Sequence, residues 1–159
     1  MLDEINERFG SKRVEANSYS PLALAYIGDS VFDVVVKTVL VEDANRQVNK
    51  LHRACSRYVK AKAQADMADQ IMPHLDEEEQ NIMKRGRNAK PYTKAKNASY
   101  GEYCKATGLE ALIGYLYLLG RISRMIEIIK EGMELIDEQD MKGAVQEANG
   151  SSGIQDRGP

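Results

Sequence analysis

The sequence predicts an all-α domain, and three observations carry that prediction. Apolar residues recur at helical spacing along most of the 159 residues. No run of strict apolar and polar alternation marks a half-buried strand. A composition of 43% hydrophobic and 29% charged residues belongs to a globular chain able to bury a core. This length is that of one domain, placed at residues 1–140, with a flexible polar tail over 141–159 where Gly, Ser, Asn and Gln accumulate.

Met1 to Gly10 carries Asp3, Glu4 and Glu7 and lacks the basic start and apolar run of a signal or transit peptide. Ser20-Pro21 is a helix start, a hydroxyl for the free amides followed by proline at the first helical position. That helix runs to about Leu40; its many valines are compatible with a strand, but so long a stretch without a turn signal favours a helix. Asn45 to Met72 is helical with room for one break, ending before Pro73. Asp76 caps the next helix, with Glu77, Glu78 and Glu79 in its first turn and Lys84 and Arg85 in its last, before Gly86.

Residues 86–101 read as a long loop, a feature usually functional or disordered in a compact domain. An apolar helix follows from Tyr103 to Leu119, and a last one from Ile122 to about Met141 with Ile122, Met125, Ile126, Ile129, Met133 and Ile136 on its apolar side. The apolar stretches at 21–36 and 106–119 are interrupted by Gly, Asp, Glu or Thr, so they predict core helices and no membrane partner. Two cysteines, Cys55 and Cys104, are too few for a disulfide scaffold and predict a reducing, cytoplasmic location.

Two carboxylates lie inside apolar helices. Asp29 stands in Leu22-Ala23-Leu24-Ala25-Tyr26-Ile27-Gly28-Asp29-Ser30-Val31-Phe32-Asp33-Val34, which predicts partial burial, and Glu110 stands in Ala106-Thr107-Gly108-Leu109-Glu110-Ala111-Leu112-Ile113-Gly114. Buried carboxylates need a hydrogen bond, an ion pair or a metal. Thr107, Ala111 and Gly114 line one side of the second helix, where another helix can approach. If that helix carries Asp29, two carboxylates meet without histidine or thiolate, a set suited to a hard cation such as Mg²⁺. Spacing alone favours the plainer alternative, a core hydrogen bond or ion pair for each acid. Asp33, one turn after Asp29, is a candidate second-row group, although Lys37 at i+4 is placed to pair with it.

Tyr26-Ile27-Gly28-Asp29-Ser30-Val31 resembles the glycine-aspartate-serine signature of the ribonuclease III catalytic domain, and Thr107 to Gly114 resembles its second acidic motif. Ala106 to Leu119 is similar to the short branch called Mini-III, which lacks a double-stranded-RNA-binding domain, and the resemblance covers about residues 18–137. It implies a helical, homodimeric ribonuclease III-type endonuclease domain. It further implies Mg²⁺-dependent cleavage of double-stranded RNA to 5′-phosphate and 3′-hydroxyl ends, in maturation of the large-subunit (23S) ribosomal RNA precursor. Asp29 and Glu110 are then the catalytic metal ligands, with Thr107 as a hydroxyl or water-mediated contact. Where larger members carry further acids, this chain has Leu22, Ala25 and Thr107. Those losses are the support for an alternative, a catalytically silent RNA- or ribosome-binding relative; retention of both motif acids argues against it.

A net charge of −2 argues, on its face, against nucleic acid. The average conceals a division: residues 44–101 hold 12 basic and 6 acidic residues, a local +6, and the remainder is −8. Arg46, Lys50, Arg53, Arg57 and Lys60, at spacings of 4, 3, 4 and 3, predict one basic helix stripe, with Val48, Leu51, Cys55 and Val59 anchoring the other face. Lys84, Arg85, Arg87, Lys90, Lys94 and Lys96, with Tyr92 and Tyr100 interleaved, add a basic loop region. Such a stripe is most often only solvated. Beside an acid pair suited to Mg²⁺ it points to duplex RNA, which is bound through phosphates, 2′-hydroxyls and shape. Two subunits would double the basic track, with Leu22 to Ile27 and Tyr115 to Leu119 as candidate interface segments. His52 and His74 stand alone and predict no metal ligand.

Overall fold

The computed structural model describes residues 1–10, 15, 18–89 and 99–150, with side chains through 146. Among these residues the chain is all-α: α1 (Leu2–Phe9), α2 (Pro21–Asp43), α3 (Val48–Val59), α4 (Ala61–Ile71), α5 (Glu77–Asn88), α6 (Tyr100–Leu118) and α7 (Ile122–Gly150), with a 3₁₀ turn at Met72–His74. None of these helices is long and apolar enough to cross a membrane.

The centre is α6, apolar on all sides, which packs against α2, α4 and α5 and buries nearly every residue from Ala106 to Tyr117. A helix hydrophobic all round belongs inside. Leu24, Phe32 and Val36 of α2, Met67 and Ile71 of α4, Ile82 and Met83 of α5, and Ile128 and Ile129 of α7 close over it. Tyr115 and Tyr117, read from sequence as candidate interface residues, belong to this core.

The helix starts follow local chemistry. Ala23 N–H donates to Ser20 Oγ at 3.1 Å, with Pro21 in the first turn. Asp76 and Glu79 form a reciprocal capping box at α5. A second box, Ser99 with Glu102, starts α6 three residues before the predicted Tyr103. The stretch from Asn45 breaks once, at the extended Lys60 between α3 and α4.

Four expectations change. Gly86 does not end α5, because it is the point where α6 comes against that helix: a Cβ there would lie 2.7 Å from Ala111 Cβ. Val48 is exposed, and Tyr58 takes the anchoring place on α3. On α7, Ile122 and Ile126 are exposed, whereas Met125, Ile128, Ile129, Met133 and Ile136 are buried. That helix also continues past Met141 to Gly150, through helix formers such as Lys142, Ala144 and Gln146. Residues 151–159 lie outside the described residues.

Candidate active site

The crossing of α2 and α6 is made by two glycines. A Cβ on Gly28 would stand 1.8 Å from the Glu110 carbonyl oxygen, and one on Gly114 would stand 2.0 Å from the Leu24 carbonyl oxygen. The helices therefore touch backbone to backbone. Asp29 follows Gly28, and Glu110 lies one turn before Gly114, so both acids belong to this crossing. Gly114 comes against α2, whereas Thr107, Gly108 and Ala111 come close to Gly86 of α5.

The acids differ in setting. Asp29 is exposed as a residue, more than its apolar neighbours predict, because it falls on the outer side of α2. Partial desolvation, followed by the charge of Asp33, raises its pKa. Glu110 is half-buried within an otherwise buried run. Burial first, and then the negative charge of Asp29, push its pKa up to about 8, against a hydrogen bond from Gln64 that lowers it. Of the plainer alternative, a core hydrogen bond or ion pair for each acid, neither acid has the ion pair among the described residues, whereas Glu110 has a hydrogen-bonding neighbour in Gln64.

The neighbouring candidates are otherwise occupied. Lys37 Nζ donates to Asp33 Oδ2 at 2.5 Å, as the i+4 spacing predicts, and Cys55 Sγ lies 3.8 Å from the other oxygen. Thr107 is buried and its hydroxyl donates to the Tyr103 carbonyl at 2.9 Å, within its own helix. Gln64 of α4, which the sequence did not mark, sets its side-chain amide beside Glu110.

Residues 22–121 match the Ribonuclease III domain, a span that contains both acids. Mini-ribonuclease 3 of Brevibacillus brevis is 45% identical over 123 residues, covering 77% of this chain and 92% of that protein. The Thermoanaerobacter protein of the same name is 46% identical over 121 residues, covering 76% and 85%. The chain belongs to the Mini-ribonuclease 3 branch of the ribonuclease III family. A crystallographic structure of a Fusobacterium nucleatum protein, 31% identical, matches the fold with a TM-score of 0.67 over 78% of this chain and 98% of that one. As a member of the ribonuclease III family the chain is an endoribonuclease, of a family that acts on double-stranded RNA with a divalent metal ion.

The donors at the crossing fit such an ion. All are oxygens, the Asp29 and Glu110 carboxylates and the Gln64 amide oxygen, which is buried without a hydrogen-bond partner. Burial and neighbouring negative charge, from Asp33 at Asp29 and from Asp29 at Glu110, raise the pKa of both acids, and a divalent cation would neutralise the charge gathered there. Among the described residues no group of three or more His, Cys, Asp or Glu side chains is placed to hold a metal ion. His74 is paired with Glu131.

The basic residues of this ribonuclease III domain divide into two groups. Lys50, Arg53 and Lys60 are exposed, with no ion pair to any described residue. Arg46 pairs with Asp43 at 2.7 Å. Arg57 turns to α7, where it reaches Asp137 at 2.9 Å and Asp140 at 2.6 Å, and its guanidinium stands 5.3 Å from the Tyr58 ring centre. Lys84 bonds Gln80, Arg85 reaches the Tyr19 carbonyl at 3.4 Å, and Arg87 is exposed. Lys90, Lys94 and Lys96 lie outside the described residues.

Proposed function

We propose that this endoribonuclease works as a cytoplasmic homodimer that cleaves duplex stems of the large-subunit (23S) ribosomal RNA precursor, with Mg²⁺ held by Asp29 and Glu110. The observation that carries the reading is the α2–α6 crossing, which belongs to two carboxylates with no ion-pair partner among the described residues. Bound there, Mg²⁺ supplies positive charge to the phosphodiester and acidity to the attacking water. Asp29, on the exposed side, is open to the RNA backbone, and Glu110 supplies the second oxygen ligand from inside. Lys50, Arg53 and Lys60 take phosphates along the duplex, contacts that give affinity without sequence preference. The products carry 5′-phosphate and 3′-hydroxyl ends, as the family resemblance implies.

The homodimer is supported by the surface beside Asp29. On α2, Tyr26 is 82% exposed and Val34 56% exposed, apolar area that a second copy would cover while setting two acid pairs along one duplex. The natural substrate is argued from the branch alone. Purified protein should cut a duplex RNA with Mg²⁺ and stop with chelator. Asp29→Asn and Glu110→Gln should each abolish cutting while still folding and dimerising; undiminished cleavage by both variants would overturn the site. Mapping 23S ends in a strain lacking the gene tests the substrate.

A further inference from the structure

Helix α4 brings to the site a residue that neither acidic motif marks. Gln64 stands between Ala63 and Ala65, is 2% exposed, and lies on the part of α4 that packs against α6. So complete a burial is uncommon for an amide. Its amide stands beside the Glu110 carboxylate, where a donated N–H works to lower that acid's pKa. Oε1, on the same amide carbon, is the buried side-chain polar atom left without a hydrogen-bond partner among the described residues. A position that needed only to be filled would take Leu or Met, which leave no acceptor unmet. The other polar group at hand offers none of this, since the Thr107 hydroxyl is committed to Tyr103.

We propose that Gln64 is a positioning residue of the cation site: its Nε2–H fixes the Glu110 carboxylate toward Asp29, and its Oε1 accepts a hydrogen bond from a water of the hydrated ion. The inference rests on Asp29 and Glu110 holding Mg²⁺. It matches the ion's chemistry, because Mg²⁺ bound by few protein oxygens keeps several waters, and those waters need acceptors. It also matches the general role of groups behind metal ligands, which orient the ligands and are costly to lose.

The test uses Gln64→Met and Gln64→Leu, which fill the space without a donor or acceptor, with Asp29→Asn alongside. In chelator both Gln64 variants lose the unmet acceptor and the hydrogen bond to Glu110 together, opposing effects that should leave Tm near the wild-type value and make it the folding control. Their apparent Mg²⁺ affinity, read from the Mg²⁺-dependent rise in Tm without RNA, should fall about 10–100-fold. At limiting Mg²⁺ kcat should drop and then recover as Mg²⁺ is raised, while KM for duplex RNA stays unchanged. A purely packing role would change Tm and leave the Mg²⁺ dependence alone, and that result overturns the proposal. On the wild type itself, the Gln64 side-chain amide resonance should shift on Mg²⁺ addition, and should not in Asp29→Asn; a resonance indifferent to Mg²⁺ overturns it even if no variant folds. A wild type without any Mg²⁺ response removes the site and this inference together. A wild type that responds, an Asp29→Asn that does not, and a Gln64→Met equal to wild type remove this inference alone.

Discussion

Gly28 lies so close to Glu110 that a methyl group on its Cα would stand 1.8 Å from the Glu110 carbonyl oxygen. The atom in the way is backbone, so no rotamer change relieves the clash. Gly28→Ala must push α2 and α6 apart, at a cost at or above the upper end of the usual overpacking range of about 1–3 kcal/mol. The same displacement separates Asp29 from Glu110, so cleavage should fall further than the loss of folded protein explains. Gly143, on the exposed part of α7 with nothing near its Cβ position, is the control. Gly143→Ala should stabilise by about 0.5–1 kcal/mol, as helix propensity dictates. Urea unfolding of both variants, with cleavage rates per folded molecule, checks the pair of outcomes.

Glu110→Gln should separate stability from function. In chelator the substitution removes a half-buried carboxylate that stands near Asp29 without a counter-charge among the described residues, so Tm should stay level or rise. Added Mg²⁺ should then stabilise the wild type by mass action, about 2.7 kcal/mol at 100 times the dissociation constant, and leave the variant where it was. A variant that melts well below wild type in chelator would mean that the carboxylate is part of the fold's own bonding.

Away from the site, Glu79 and Arg124 bolt α5 to α7. Arg124 Nε donates to Glu79 Oε1 at 2.8 Å and its second prong to Oε2 at 2.9 Å, with Glu79 almost wholly buried. Arg124 first, and then the Asp76 backbone N–H, hold the Glu79 pKa below its usual value of 4.5. A lowered folded-state pKa contributes stability above the unfolded value and loses it as pH falls through the folded one. Arg124→Met should therefore cost about 3 kcal/mol at pH 7, the lower end of the range for breaking a buried pair because Arg124 is partly exposed. The gap to wild type should narrow as pH falls below 4.5. Denaturant titrations at neutral and acid pH read both quantities.

These residues also show what the sequence made legible. The caps at Ser20 and Asp76 and both acidic motifs are local signals, readable within a few positions. The Ser99 and Glu102 box was equally local and was masked by the loop-like composition before it. Gly86 and Gln64 were not readable, because each has its meaning only through α6, which lies far along the chain. A glycine before a loop looks like a helix stop, and a glutamine among alanines looks like a surface residue. Of the predicted stripe only Lys50, Arg53 and Arg57 lie on α3, since Arg46 precedes the helix and Lys60 is its extended C-cap, and the periodicity held no information about Asp137 and Asp140, which arrive from α7.

That ion-pair network bears on how strongly the protein grips RNA. Arg57 is held by Asp137 and Asp140, and the Tyr58 hydroxyl donates to Asp137 at 2.7 Å, so one cation of the stripe is already neutralised by the protein. An exposed pair of this kind contributes little to stability, about 0–1 kcal/mol, but it competes with phosphate for the guanidinium. The double variant Asp137→Asn, Asp140→Asn should tighten duplex RNA binding at low salt and steepen the dependence of log K on log salt by about one contact. Removing acid anywhere on α7 also lessens general repulsion, so Glu138→Gln, which has Lys142 as its partner, measures that background. Filter binding in chelator across a salt series separates the two. A double variant with the slope of Glu138→Gln would show that Arg57 does not contact phosphate even when released.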